Sequence, residues 1–219
     1  AAPLEQLSLT PEDEATARLH GGYIAYSGRV YKQFDESFHV WDDLPAYHQE
    51  CFDKGKYLLY KIADPHDRKP FAIAWYAVFP NQDKVCIAEW PEGNFYKMKS
   101  SNVSIDEYRH IMIETEKQLG HIADINLEDP NFGNTPKLNG KTFKQLMAGP
   151  CDACSLSDKF LVECSHSIAF LDPPDSNALG ISLVKQELGN PHKGIRPKLY
   201  FMRHCIHSIA RTEPPDDDT

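Results

Sequence analysis

Tyr57-Leu58-Leu59-Tyr60-Lys61-Ile62-Ala63, Phe71-Ala72-Ile73-Ala74-Trp75-Tyr76-Ala77-Val78-Phe79 and Lys84-Val85-Cys86-Ile87-Ala88-Glu89-Trp90 follow one another with little between them. Each run is rich in the aromatic and apolar residues that suit a pleated, half-buried surface. The links, 64–70 and 80–83, carry Pro, Asp and Asn, the residues of tight turns. A parallel pair needs a crossover of a dozen or more residues, so links this short require antiparallel neighbours. The stretch from Tyr57 to Trp90 is therefore expected to be a three-stranded meander.

Helical signals lie downstream. Ser104 and Glu107 form a capping box, and Ile105, Tyr108, Ile111, Met112, Thr115 and Leu119 recur at helical spacing up to Gly120. A fourth strand is expected over 121–125, a turn-rich loop over 131–140, a short helix over 142–148 and a helix over 179–188 that Gly189 ends. A fifth strand is expected over 199–202, leading into 204–210. Upstream, Thr10-Pro11-Glu12-Asp13-Glu14 starts a helix that Gly21-Gly22 closes, and short aromatic stretches follow. Antiparallel strands, a helix, then strands alternating with helices define an α/β protein with a mixed sheet.

The chain has 219 residues and a formal net charge of −9. That length supports one ordinary core. No apolar run is long enough for a membrane helix and no signal peptide opens the chain. The start, Ala1-Ala2-Pro3-Leu4, lacks an initiator Met and reads as a cut-out piece or processed product. An acidic surface argues against tight DNA binding by phosphate neutralisation alone, but it suits a divalent-cation site made of carboxylates. Six cysteines occur, at 51, 86, 151, 154, 164 and 205. Cys86, inside an apolar strand, reads as a buried hydrophobe, and the compartment reads as reducing.

Two carboxylates stand out. Asp64 ends the first strand and opens the turn Asp64-Pro65-His66-Asp67. Asp129 follows the fourth strand in Glu128-Asp129-Pro130-Asn131-Phe132-Gly133-Asn134-Thr135. If the two strands are neighbours, both acids project from one rim and can share divalent cations about 4 Å apart, as phosphodiester hydrolysis requires. Taken singly, either Asp-Pro is an ordinary turn opener. Asp124 is the rival to Asp129. Glu89 reads as a solvated strand end, with an outer role at the site as the alternative. His66 and His204 lie nearest the acids by sequence.

The order of these features resembles the nuclease half of tailed-bacteriophage large terminases, which join an ATPase to a ribonuclease H-like nuclease. The resemblance is carried by Ala17-Arg18-Leu19-His20-Gly21-Gly22, Ser27-Gly28-Arg29-Val30-Tyr31 and Phe34, by the passage from Ile62 to Trp75, and by Asp129-Pro130 with Gly133-Asn134-Thr135 and Gly140-Lys141-Thr142. It also rests on Gly180-Ile181-Ser182-Leu183-Val184 and Leu199-Tyr200-Phe201. It implies a ribonuclease H-like fold, a lead-in over 1–40 from an ATPase part, and a nuclease domain over 41–219. It implies an endonuclease that cuts concatemeric viral DNA during packaging, with Asp64 and Asp129 as catalytic metal ligands for Mg2+ or Mn2+. A third acid is implied near a C-terminal helix; Asp216, Asp217, Asp218 or a residue beyond the chain end would supply it. Lys137, Lys141 and Lys144 would meet double-stranded DNA. The ATPase part, small terminase and portal would be partners, in the host cell cytoplasm and away from membranes. No Gly-x4-Gly-Lys-Ser/Thr occurs, so the chain is not the ATPase.

A second metal site has its own signal. Cys151-x2-Cys154 and Cys164-x-His166 have zinc-ligand spacing and would pin an insertion over 149–170. The rival functions are another ribonuclease H-like enzyme, such as a resolvase or transposase, and a non-catalytic zinc-stabilised interaction domain.

Overall fold

The computed structural model of the protein describes residues 31–66, 70–91, 103–129, 140–149, 167–173 and 177–212. The elements among them are α1 (Glu36–His39), β1 (Val40–Trp41), α2 (Ala46–Asp53), β2 (Leu58–Asp64), β3 (Ala72–Val78), β4 (Lys84–Trp90), α3 (Ile105–Leu119), β5 (Ile125–Glu128), α4 (Phe143–Ala148), α5 (Asn177–Leu188), β6 (Leu199–Met202) and α6 (Ile206–Thr212). The expected helix over 9–20 lies outside the described residues.

The six strands form one sheet in the order β1-β6-β4-β3-β2-β5. The meander is as its short links demand. β2 runs antiparallel to β3 from Leu58 opposite Val78 to Asp64 opposite Ala72, and β3 runs antiparallel to β4. β5 joins β2 in parallel, and Leu171 bridges to Leu127 in the same sense on its far side. An antiparallel trio whose first strand is extended by parallel neighbours is the ribonuclease H-like arrangement. β6 does not continue this series. It lies at the other end of the sheet, parallel to both β4 and β1, and all four of its residues are buried, as a run without polar alternation requires.

Helices cover the faces. α3 begins at the expected capping box and ends at Gly120, whose φ of 68° a side chain would strain. It lays Tyr108, Met112 and Glu116 against the sheet face that also buries Leu59, Lys61, Ala63, Ile73 and Trp75. Arg109 is buried, and its guanidinium donates to the carbonyls of Leu146 and Gly149, tying the end of α4 to α3. α5 lies on the opposite face, where Lys84 pairs with Glu187 at 2.9 Å and Val184 sits beside Ile62 and Tyr76. Its C-terminal end thus lies over the starts of β2 and β4, and its N-terminal end points toward Asp64.

One sequence expectation changes. The fourth strand begins at Ile125, not His121, because the chain leaving the left-handed cap at Gly120 must turn before it can pair. Just ahead of α2, Phe34, His39 and Val40 are buried in the core, and Val40 pairs with Phe201.

Candidate functional site

β2 and β5 run side by side in the same direction, with Ala63 opposite Glu128. The backbone N–H of Asp129 donates to the Ala63 carbonyl at 3.2 Å, so the pairing carries one step past the end of β5. Asp64 and Asp129 therefore stand next to each other at the carboxyl ends of neighbouring parallel strands, where strand spacing is about 4.8 Å. Alternation puts them on the α5 face: Ile62 and Leu127, two residues before each, are paired partners. Asp64 is exposed and Asp129 half-buried.

Asp124 is not the partner of Asp64. It precedes the opposite end of β5, and its carboxylate accepts the Leu59 backbone N–H at 2.8 Å and lies 3.1 Å from His121 Nε2. It closes the entry to the β2–β5 pairing.

Glu89 is not a solvated strand end. It is buried, and its carboxylate accepts the backbone N–H groups of His207 at 2.6 Å and Ser208 at 2.8 Å. Those donors belong to the first turn of α6, where the helix itself supplies no acceptors for them. Glu89 thus caps α6 from β4. It lies on the Asp64 face, since it pairs with Ala74, the partner of Ile62. His204 donates from Nε2 to the Ile87 carbonyl at 2.9 Å, a packing role, and His66 is exposed two residues after Asp64.

Glu128 was missed by sequence reasoning. Its side chain points away from Asp129, to the α3 face, where it is buried with Lys144 Nζ 3.4 Å away. Burial pushes its carboxyl up to about 7, against the opposing pull of Lys144. Lys144 also pairs with Asp172. Its ammonium is thus shared between two carboxylates, not presented alone to a phosphate. Lys141 is exposed just before α4, and Lys137 lies outside the described residues. The alternation of β2 would have exposed a second missed pair: Lys61, at a core-facing position, meets Glu116, in the Tyr108–Met112 stripe of α3, at 2.6 Å.

Cys151, Cys154, Cys164 and His166 lie outside the described residues, as do Asp216, Asp217 and Asp218. On either side of the undescribed residues 150–166, the Ile168 N–H donates to the Met147 carbonyl at 3.0 Å, and Ile168 and Phe170 are core residues. Among the described residues, no three His, Cys, Asp or Glu side chains are grouped to hold a metal ion, and no helix is long and apolar enough to cross a membrane. The pair Asp64 and Asp129 offers oxygen donors only. That set suits a hard divalent cation such as Mg2+ or Mn2+, which is commonly held by one or two carboxylates with water and phosphate completing its shell. It does not suit a soft or tetrahedral zinc site.

No family model matches the chain, and no curated protein matches it in sequence. Solved structures do. One crystal form of the large terminase from a thermophilic bacteriophage superposes with a TM-score of 0.55 at 15% identity, over 95% of this chain and 44% of that one. Another crystal form of the same terminase gives 0.54 at 14% identity, over 84% of this chain and 36% of that one. The P22 large terminase nuclease domain gives 0.45 at 13% identity, over 84% and 77%. At this identity the likeness is one of fold: this chain has the ribonuclease H-like α/β fold found in the large terminase of the thermophilic phage. It spans less than half the length of that protein.

Proposed function

We propose that this chain is the nuclease part of a large terminase, a divalent-cation-dependent endonuclease that cuts viral DNA during packaging. The observation that carries the reading is the pair Asp64 and Asp129 at adjacent carboxyl ends of β2 and β5. The fold likeness supports it, as does the absence of a phosphate-binding loop from the sequence, which leaves nucleotide hydrolysis to a separate ATPase part. In this reading Asp64 and Asp129 hold Mg2+ or Mn2+. When bound, the cation offsets the phosphate charge and supplies the Lewis acid for hydrolysis. The protein's own contribution is rigid placement: two hydrogen-bonded strands fix both carboxylates, and Glu89 holds α6 beside them. In this reading a third acid comes from Asp216, Asp217 or Asp218, or from a residue beyond the end of this chain. Double-stranded DNA is the substrate in this reading, with Lys137 and Lys141 as candidate contacts to it. The ATPase part, small terminase and portal are the partners, in the host cell cytoplasm.

The test is nicking of supercoiled plasmid with Mg2+, Mn2+ or EDTA. Asp64→Asn and Asp129→Asn should each lose at least about 100-fold in rate while remaining folded, because each removes a ligand charge that a conservative amide does not replace. Asp124→Asn should keep most activity. A chain ending at 213 that loses nicking would place the third acid among Asp216, Asp217 and Asp218; one that keeps its activity would remove all three. Wild-type nicking that persists in EDTA, or an active Asp64→Asn, refutes the assignment.

A further inference from the structure

Beside Asp64, on the α5 face, the sheet holds a cavity of about 260 Å³. It exists because β3 presents Ala72 and Ala74 there, between Asp64 and Ile62 of β2 on one side and Glu89 of β4 on the other. Larger side chains at these two positions would fill the space. The walls are ring-bearing: Tyr31, Tyr76, Phe201 and His207 line it. Among the described residues its charges are the two carboxylates Asp64 and Glu89.

We propose that this cavity receives one unstacked nucleobase of the strand presented for cutting. The proposal rests on the nuclease reading, and three observations point to a base as the occupant. A phosphate held at Asp64 and Asp129 carries its base on the same sugar, within reach of a cavity that has Asp64 in its lining. The rings and the small-residue floor offer stacking and apolar contact to a flat heterocycle, the sequence-tolerant way in which proteins hold single bases. The charge selects further. Glu89 adds a negative charge away from the cation-holding pair, and among the described residues no Lys or Arg lines the cavity, so it favours a neutral base over a second backbone phosphate. Each Glu89 oxygen accepts one N–H from α6 and retains a lone pair, so the carboxylate can also accept from an exocyclic amino group. Adenine and cytosine carry such a group at the edge, and thymine does not.

The test uses the full chain in Ca2+ and single-stranded hexamers of equal charge: dA, dC, dT and a fully abasic strand. Phosphate contacts are the same in all four, so differences report base contacts. In an anisotropy titration, wild type should bind the abasic strand roughly tenfold more weakly than dA or dC, the size of one lost stacking contact, with dT between. Ala74→Leu fills the floor without touching Asp64 and should abolish the difference. If Ala74→Leu fails to fold by circular dichroism, Ala72→Val narrows the same floor and is read the same way. Equal binding of all four strands by wild type overturns the proposal. So does a folded variant that keeps the preference. Base-dependent binding without plasmid nicking would leave the cavity assignment standing and remove the nuclease reading; nicking without base preference would do the reverse.

Discussion

Lys61 and Glu116 form an ion pair that water hardly reaches, with 1% and 8% of the side chains exposed, beneath the strand that carries Asp64. Trp75 Nε1 donates to the same Glu116 oxygen at 3.4 Å, and the ammonium lies 5.8 Å from the Phe170 ring centre. Burial lowers the Lys61 pKa against the opposing pull of Glu116. Lys61→Met keeps the length of the side chain and removes the charge. It leaves a buried carboxylate whose remaining close donor among the described residues is the Trp75 indole N–H, and loss of one partner of a buried pair costs about 3–5 kcal/mol. Replacing both, as Lys61→Met with Glu116→Leu, removes the desolvation of two ions along with their attraction and should land within about 2 kcal/mol of wild type, on either side. The double variant should therefore be more stable than the Lys61→Met single variant, a non-additive outcome expected of groups in contact. Urea unfolding followed by tryptophan fluorescence gives the three free energies, and Trp75 itself reports on the pair. A Lys61→Met loss below about 1 kcal/mol, or a double variant no better than the single, refutes the view that the buried charge is what the pair neutralises.

Three further outcomes are expected. Because the folded Glu128 carboxyl titrates near 7 and its ordinary value is 4.5, the stability it provides is complete below pH 4.5 and is lost as pH rises through 7; relative to Glu128→Gln, wild type in EDTA should lose up to about 3 kcal/mol between pH 4.5 and 8, and parallel unfolding curves at both pH values would contradict this. Ser104→Ala, which removes the side-chain half of the α3 capping box, should cost about 1 kcal/mol in thermal or urea unfolding, and a neutral result would mean that tertiary packing alone holds that helix end. If Cys151, Cys154, Cys164 and His166 bind zinc, the purified chain should contain about one zinc per molecule and melt at a lower temperature after chelation; metal-free protein of unchanged melting would leave these cysteines incidental.

Local signals in the chain determined the meander, the α3 boundaries and the short helix α4. Turn residues at 64–70 and 80–83 allow only antiparallel return, and the capping boxes at Ser104–Glu107 and Thr142–Gln145 are complete within four residues. Asp64 was legible as a candidate for the same reason: a strand end followed by Asp-Pro is a local pattern. Other features depended on contacts between distant segments. Nothing near residue 199 says that β6 lies beside β4 and β1 and not beside β5, because a fully apolar strand fits any buried slot. Asp129 and Asp124 flank the same strand and look equivalent in sequence. The parallel register of β5 on β2 brings one to Asp64 and sends the other to the opposite edge. Glu89, like any acid at a strand end, carries no local sign of burial; only the arrival of α6, 118 residues later, supplies the N–H groups that its carboxylate accepts. Tertiary structure decided these roles because a charged group's environment is set by what packs against it, and here that is chain from far along the sequence.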